Sequence, residues 1–323
     1  MDKVPYNAAF YPEDVMLFYR GLHNTRPGSE GCVLTIGNFD GVHLGHQALL
    51  DKVKAKGEEL SLQTAVMIFE PQPKEFFDPD GAPARLCNLA EKIQLFQRQN
   101  IDVLACMAFN PRFRQLTAEA FVQQVLIDAL NVKALIVGDD FRFGCDRSGD
   151  FAFLQEAGER YGFSVEDTQT IAQSGNRVSS TRVRQALEEG RLLDAAELLG
   201  RPYSISGRIA HGQKLGRTIG TPTANVILKR EKAPLRGVFA VKVICKQGEF
   251  KGVANIGTRP TVGGVKANLE AHLFDFSGDL YGQRIDVIFC EKIRDEKRFD
   301  GIDALKAAIE QDRQLAKAYF NKQ

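Results

Sequence analysis

No stretch of this 323-residue chain is long and apolar enough to cross a bilayer, and Met1-Asp2-Lys3-Val4-Pro5 opens it without the apolar core of a signal peptide. The expected location is therefore the cytoplasm. The six cysteines (32, 87, 106, 145, 245 and 290) are scattered with no Cys-x-x-Cys pair, which argues against a cysteine zinc site and against a disulfide framework. They read as reduced core or loop residues. Net charge is also lacking, at +1, but the balance is uneven along the chain. Residues 1–199 carry 20 Lys+Arg against 28 Asp+Glu, and residues 200–323 carry 22 against 13. The positive residues are scattered rather than run together, so the expectation is no nucleic acid and no membrane partner.

What is present is ordinary for a globular enzyme, with 44% hydrophobic and 26% charged residues. The length and the charge asymmetry predict two domains, divided here as 1–199 and 200–323. Assembly is expected to be a monomer or a weak homo-oligomer.

The stretch that organises the first domain is Gly37-Asn38-Phe39-Asp40-Gly41-Val42-His43-Leu44-Gly45-His46. It joins an apolar run, Val33–Ile36, to a helical pattern from about His46 to Glu59. A strand, a glycine-punctuated turn and a helix start make a site for phosphates, because the helix presents unpaired N–H groups there. Gly45 lets a ligand approach the backbone between the two imidazoles. Two histidines at this spacing can also bind a metal or simply begin a helix.

Three further apolar runs, Ala65–Phe69, Val103–Phe109 and Ala134–Val137, alternate with helical patterns over Leu89–Gln99, from Thr117, and from Asp150 to Gly162. That alternation predicts a Rossmann-like parallel sheet with covering helices. Each run ends in a polar turn, the others being Glu70-Pro71-Gln72-Pro73, Asn110-Pro111 and Gly138–Gly144, and a parallel sheet collects all four turns on one edge. Ser179-Ser180-Thr181-Arg182-Val183-Arg184 then opens a helix that Gly190 ends. Its hydroxyls are either plain helix caps or, with Arg184 offering a forked donor, an anion site. An anion site at each end of a crevice implies a triphosphate between them.

After a short helix over Leu192–Leu199 the period changes. Tyr203–Ile209, Val238–Cys245, Glu249–Asn255, Asn268–Phe274 and Arg284–Phe289 read as strands, and only Ile302–Tyr319 reads as a helix, defined by Leu305, Ile309, Asp312 and Leu315. The expectation is an antiparallel barrel with a long terminal helix laid across it. Gly207–Arg217, with Gly207, His211, Gly212 and Gly216, is a loop able to wrap phosphates. Alternation along Asn268–Leu273 puts Glu270 and His272 on one face, which in many strands is merely the solvent side.

The Gly37–His46 stretch, the Gly138–Gly144 turn and the Ser-Ser-Thr-x-x-Arg turn resemble the nucleotidyltransferase half of the bifunctional prokaryotic riboflavin kinase/FAD synthetases. Gly220-Thr221-Pro222-Thr223-Ala224-Asn225 resembles the kinase signature of the same family, so the resemblance covers nearly the whole chain. It implies that riboflavin is phosphorylated by ATP to FMN, and FMN adenylylated by ATP to FAD with release of pyrophosphate. On the matching positions, His43 and His46 stabilise ATP phosphates within a loop that includes Gly37, Asn38, Phe39, Asp40 and Gly45. Ser179, Ser180, Thr181 and Arg184 hold the departing pyrophosphate, and Asp140 and Phe143 are candidates to hold the flavin, with Phe76 and Phe77 either stacking on it or filling the core.

In the kinase half the resemblance implies that Thr223 and Asn225 bind magnesium and ATP and that Glu270 takes the proton of the ribityl hydroxyl. Asn255–Thr261 and Arg294–Phe299 match family segments near the flavin. The chain departs from the family pattern at Gln72, where many relatives have histidine, at Thr221, where an aromatic is usual, and at Phe239, commonly tyrosine. Two other readings remain for the sequence alone: an adenylyltransferase for a pantetheine or nicotinamide precursor with an accessory barrel, and a degenerate flavin sensor that binds RNA or a partner.

Overall fold

Strands that are apolar at nearly every residue belong where both faces of a sheet are covered, and the four apolar runs of the first half are there. The computed structural model describes residues 16–138, 140–145, 147–168, 172–173, 176–210, 223–228, 230–261, 264–297 and 299–322. Contacts divide them into two compact units, one of residues up to 82 together with 92–178, the other of residues 83–91 together with 179 onward.

In the first unit, β1 (Leu17–Arg20), β2 (Cys32–Ile36), β3 (Gln63–Glu70), β4 (Val103–Ala108), β5 (Val132–Val137) and β6 (Ser164–Asp167) form one sheet in the order β1-β4-β3-β2-β5-β6. Every neighbouring pair is parallel. All carboxyl ends therefore lie on one edge, where the four polar turns were expected. α1 (Leu44–Leu60) follows β2, α2 (Pro73–Phe77) follows β3, α3 (Leu89–Arg98) precedes β4, and α4 (Pro111–Arg114) follows it. α5 (Ala118–Phe121) is capped by the Thr117 hydroxyl and runs into a π-helical stretch, Val122–Ala129. Phe121, Val125 and Leu126 point into the core from it, as the apolar spacing predicts. α6 (Phe151–Tyr161) is capped by Asp150 and stopped by Gly162 in the left-handed region.

The second unit has α7 (Ser180–Glu188) and α8 (Leu192–Leu199), then a closed antiparallel barrel. A two-residue hairpin, β7 (Ala172–Gln173) with β8 (Asn176–Arg177), belongs to the first unit. The barrel strands are β9 (Ser204–Ala210), β10 (Ala224–Ile227), β11 (Gly237–Cys245), β12 (Gly248–Thr261), β13 (Gly264–Leu273) and β14 (Arg284–Arg294), in the order β10-β13-β12-β11-β14-β9. Five of the six were expected, and β10, which begins inside the Gly220–Asn225 motif, is the sixth. α9 (Ile302–Asn321) lies against the outside of the barrel. Its inward stripe is Ala308, Asp312, Ala316 and Phe320, every fourth residue, and not the larger residues alone, since Leu315 is 48% exposed. Small residues let the helix close on Val238, Ala240 and Val253.

Segment 83–91 is stitched into this second unit by buried polar groups. Glu91 accepts from the Ser206 amide at 2.7 Å, from the Asn88 amide at 2.6 Å and from Arg230, which also donates to the carbonyls of Arg85 and Leu86 and to the Tyr203 hydroxyl. Burial works against the charge on Arg230, yet the Glu91 carboxylate beside it wins and holds the guanidinium well above its ordinary value.

Candidate active sites

The turn after β2 leaves the sheet in a conformation that ordinary residues avoid. Phe39 has φ 46°, Gly41 φ 85° and Val42 φ 40°. For a β-branched residue a positive φ is a genuine outlier, and such strain costs on the order of 1–3 kcal/mol at each position unless the surroundings over-determine it. The surroundings are dense: Phe39, Asp40, Val42 and His43 are all buried. The Phe39 ring meets Phe96 edge-on at 5.4 Å and His46 at 4.9 Å, and the Gln47 amide donates to the Val42 carbonyl at 2.9 Å.

α1 therefore begins under tight control. His43 is its cap: Nδ1 accepts from the His46 amide at 3.3 Å, so in the neutral ring the proton lies on Nε2. The two imidazoles stack with centroids 3.7 Å apart and planes inclined by 14°. The anion-favouring end of a 17-residue helix stands beside them. Among the described residues no group of three or more His, Cys, Asp or Glu is placed to hold a metal ion.

The neighbouring turns add to the same edge. Glu70-Pro71 is a cis bond, and the Glu75 carboxylate accepts from the Gln72 amide at 2.9 Å. Phe69, Phe76, Phe77, Phe109 and Phe113 form one chain of edge-on and tilted rings, with Phe77 58% exposed at its end. Asp140 is exposed and lies 3.7 Å from Arg177. Phe143, by contrast, is buried in the core, packed on Phe121, Phe141 and Phe153 and bridged to Gly149.

In the other unit, Ser179 caps α7, its hydroxyl accepting from the Arg182 amide at 3.4 Å, while Ser180 and Thr181 begin the helix. The Arg184 Nε donates to the Ala84 carbonyl at 2.7 Å. Ser179 thus has the capping geometry that the sequence offered as one alternative for the hydroxyls.

The barrel carries the second constellation. Glu270 on β13 stands directly opposite Asn225 on β10 and Asn255 on β12, and paired residues of antiparallel strands share a face. Leu269, Ala271 and Leu273 point into the barrel and Glu270 and His272 out of it, as the alternation requires. That outer face is covered. A cavity of about 280 Å³ is lined by Thr223, Asn255, Glu270 and His272, by Arg294 at the end of β14, and by Leu305, Ile309 and Asp312 of α9. Arg294 grips Asp312 with two bonds of 2.8 and 2.7 Å, fixing the helix over the strands. Asn268 donates to Glu270 at 3.0 Å. Thr223 also lines a second cavity of about 110 Å³, on the side of Ala271, Phe276 and Tyr281. Gly207 lies within β9, whereas His211, Gly212 and Gly216, together with Thr221, are outside the described residues.

A parallel α/β unit with a phosphate-type turn, joined to a barrel that sets a carboxylate among hydroxyl and amide groups, defines a two-unit nucleotide-using transferase. Comparisons give the family. A profile described as FAD synthetase matches residues 25–182, and one described as riboflavin kinase matches residues 199–320. The chain is 54% identical over 304 residues to the bifunctional riboflavin kinase/FMN adenylyltransferase of Pseudomonas fluorescens, covering 94% of this chain and 97% of that one. It is 52% identical over 307 residues to the protein of the same name from Escherichia coli K12, covering 94% and 98%. A solved structure described as a macrolide-efflux protein from Streptococcus pneumoniae matches with a TM-score of 0.77 and 30% identity over 94% of this chain and 99% of that one. Among the described residues no helix is long and apolar enough to cross a membrane. The chain belongs to the bifunctional riboflavin kinase/FMN adenylyltransferase family.

Proposed function

We propose that the chain makes FAD from riboflavin in two steps, phosphorylating the vitamin to FMN in the barrel half (200–323) and adenylylating FMN in the first half (1–199). The observation that carries this reading is Glu270 held in register between Asn225 and Asn255, at a cavity shared with Thr223. An alcohol attacks phosphorus well only when its proton has somewhere to go, and a positioned carboxylate supplies that place. Glu270 takes the proton of the ribityl 5′-hydroxyl as its oxygen bonds to the γ-phosphorus of ATP and the bond to ADP breaks. Asn268 fixes the carboxylate, and Arg294 with Asp312 keeps α9 over the flavin and excludes water.

Magnesium is the expected cation with ATP at both sites. Thr223 and Asn225 fit one: both are half-buried, neutral and oxygen-bearing, a donor set suited to a hard ion that shares its remaining positions with phosphate oxygens. When bound, the ion supplies neutralisation of phosphate charge. Gly207 and, beyond the described residues, His211, Gly212 and Gly216 are assigned to the kinase nucleotide.

Adenylyl transfer needs no protein nucleophile, because the FMN phosphate is already an anion. Its oxygen bonds to the α-phosphorus of ATP, and the bond to pyrophosphate breaks. His43 and His46, with the loop of Gly37, Asn38, Phe39, Asp40 and Gly45, hold the charge that develops. Ser179, Ser180, Thr181 and Arg184 are assigned to the departing pyrophosphate, and Asp140 and Phe143 to the flavin, Phe143 from its core position behind the turn. The enzyme acts in the cytoplasm on riboflavin, FMN and ATP, as a monomer or weak homo-oligomer, without nucleic acid.

The test crosses two variants with two reactions, read by chromatography of flavins. Glu270→Gln should lower FMN formation by roughly two to four orders of magnitude and leave FAD formation from supplied FMN intact. His46→Ala should do the reverse, lowering FAD formation by roughly two to three orders of magnitude. Loss of both activities in either variant, or of neither, would overturn the division of labour.

A further inference from the structure

Lys92 is among the most completely buried side chains of the molecule, with no exposed surface, and nothing in the proposed chemistry uses it. A lysine without solvent access is rare, because its stem hides readily but its amine needs partners. Its Nζ donates to the backbone carbonyl of Asn38 at 2.7 Å. Asn38 precedes the three positive-φ residues of the loop, Phe39 at φ 46° and, beyond Asp40, Gly41 and Val42 at φ 85° and 40°.

The helix that supplies Lys92 supplies a second contact from the same face. Phe96, one turn further along α3 and equally buried, receives the Phe39 ring edge-on at 5.4 Å. Lys92 and Phe96 thus grip two consecutive loop residues, one by its carbonyl and the other by its ring. Phe39 in turn touches His46 at 4.9 Å, and His46 stacks on His43 at 3.7 Å. A continuous set of contacts runs from the buried amine to the imidazole pair.

We infer that Lys92 is a positioning residue for adenylyl transfer, holding the Gly37–His46 loop in the strained shape that presents both imidazoles to the nucleotide phosphates. The inference rests on the assignment of that loop to adenylyl transfer. Lys92 touches neither substrate nor reacting atoms in this scheme. Asn38 itself is exposed, but without the buried amine its carbonyl loses the charged donor that ties the loop to α3, and the loop relaxes toward ordinary backbone angles, carrying the imidazoles out of place.

The experiment uses the full chain with Lys92→Met, which keeps the length and volume of the side chain and removes the donor. FAD formation from FMN and ATP should fall about 10- to 100-fold, the effect expected when a hydrogen bond from a charged donor is lost. Amide hydrogen exchange should quicken in peptides over 37–46 while the strands Cys32–Ile36 and Val132–Val137 keep their protection. Wild-type FAD formation would overturn the inference, as would a loss accompanied by faster exchange throughout the sheet, which would mark Lys92 as a folding residue only. If Lys92→Met does not yield folded protein, the same two measurements on Lys92→Gln decide, a neutral donor of shorter reach being expected to show the same pattern more weakly. His46→Ala is run beside them: if it retains FAD formation, the loop assignment itself has failed, whereas if it loses activity and Lys92→Met does not, the failure is that of Lys92 alone.

Discussion

Replacing Arg230 by methionine should cost the barrel unit far more than an average substitution. Its side chain is 1% exposed and that of Glu91 7% exposed, so the pair is shielded from water on all sides. Methionine fills a similar volume but leaves the carboxylate of Glu91 with two backbone amides, those of Ser206 and Asn88, and no countercharge. It also takes a donor from the Arg85 carbonyl, whereas the Leu86 carbonyl keeps the Tyr203 hydroxyl at 3.0 Å. Breaking one side of a buried ion pair costs about 3–5 kcal/mol, and for a unit of this size each kcal/mol lowers the melting temperature by about 2–4 °C. The expected drop is therefore about 6–20 °C. Because the chain has two units, the assay should report on this one: riboflavin phosphorylation after timed heating, alongside a calorimetric scan. Adding Glu91→Gln to Arg230→Met should recover part of the loss, since the lone buried charge is gone and one acceptor remains. An Arg230→Met protein that keeps its kinase activity to wild-type temperatures would refute the reasoning, as would a double variant less stable than the single one.

The sheet of the first unit was legible in sequence because its central strands, buried on both faces, appear as unbroken apolar runs. Its edges were not: β1 and β6 are four residues each and mostly exposed, so neither apolar runs nor clean alternation marks them. β10 escaped for the same reason, with Val226 its one buried residue. Charged residues misled most. On α3 the apolar spacing picks out Leu89, Ile93 and Phe96, yet the residues most deeply buried are Lys92 and Phe96, with Glu91 close behind. A lysine and a glutamate inside a helical pattern read as its wet face, and only partners distant in sequence, Asn38 for one and Arg230 with Ser206 for the other, reverse that. His43, His46, Glu270, Thr223 and Asn225 could be singled out from sequence because they sit in short motifs whose neighbours fix them locally. The core packing of the Phe143 ring was not legible, because its partners Phe121 and Phe153 lie on other elements.

Two further outcomes follow from burial and from close approach. Burial pushes the Cys32 thiol from its ordinary 9.0 up to about 12, so at pH 8 a maleimide should label exposed Cys145 and leave Cys32 untouched until the chain unfolds. The unfolded chain releases that proton first, so this contribution to stability is complete below about pH 9 and is lost as pH rises toward 12, which alkaline unfolding curves of Cys32→Ala against wild type would reveal. Gly45→Ala sets two effects against each other. Alanine is the better helix former by about 1 kcal/mol in a helix interior and by less at the second residue of α1, where Gly45 stands, so the first unit should melt close to where it did before. A Cβ at this position would stand 3.2 Å from Cε1 and Nδ1 of His43 and 3.4 Å from the Val178 carbonyl, tight enough to turn the imidazole and to fill the space beside the helix start. FAD formation should then fall about tenfold, equivalent to about 1.4 kcal/mol of transition-state stabilisation, while riboflavin phosphorylation stays as it was. A variant both more stable and fully active in adenylyl transfer would mean that no phosphate approaches the chain at Gly45, and the anion site at the start of α1 would have to be given up.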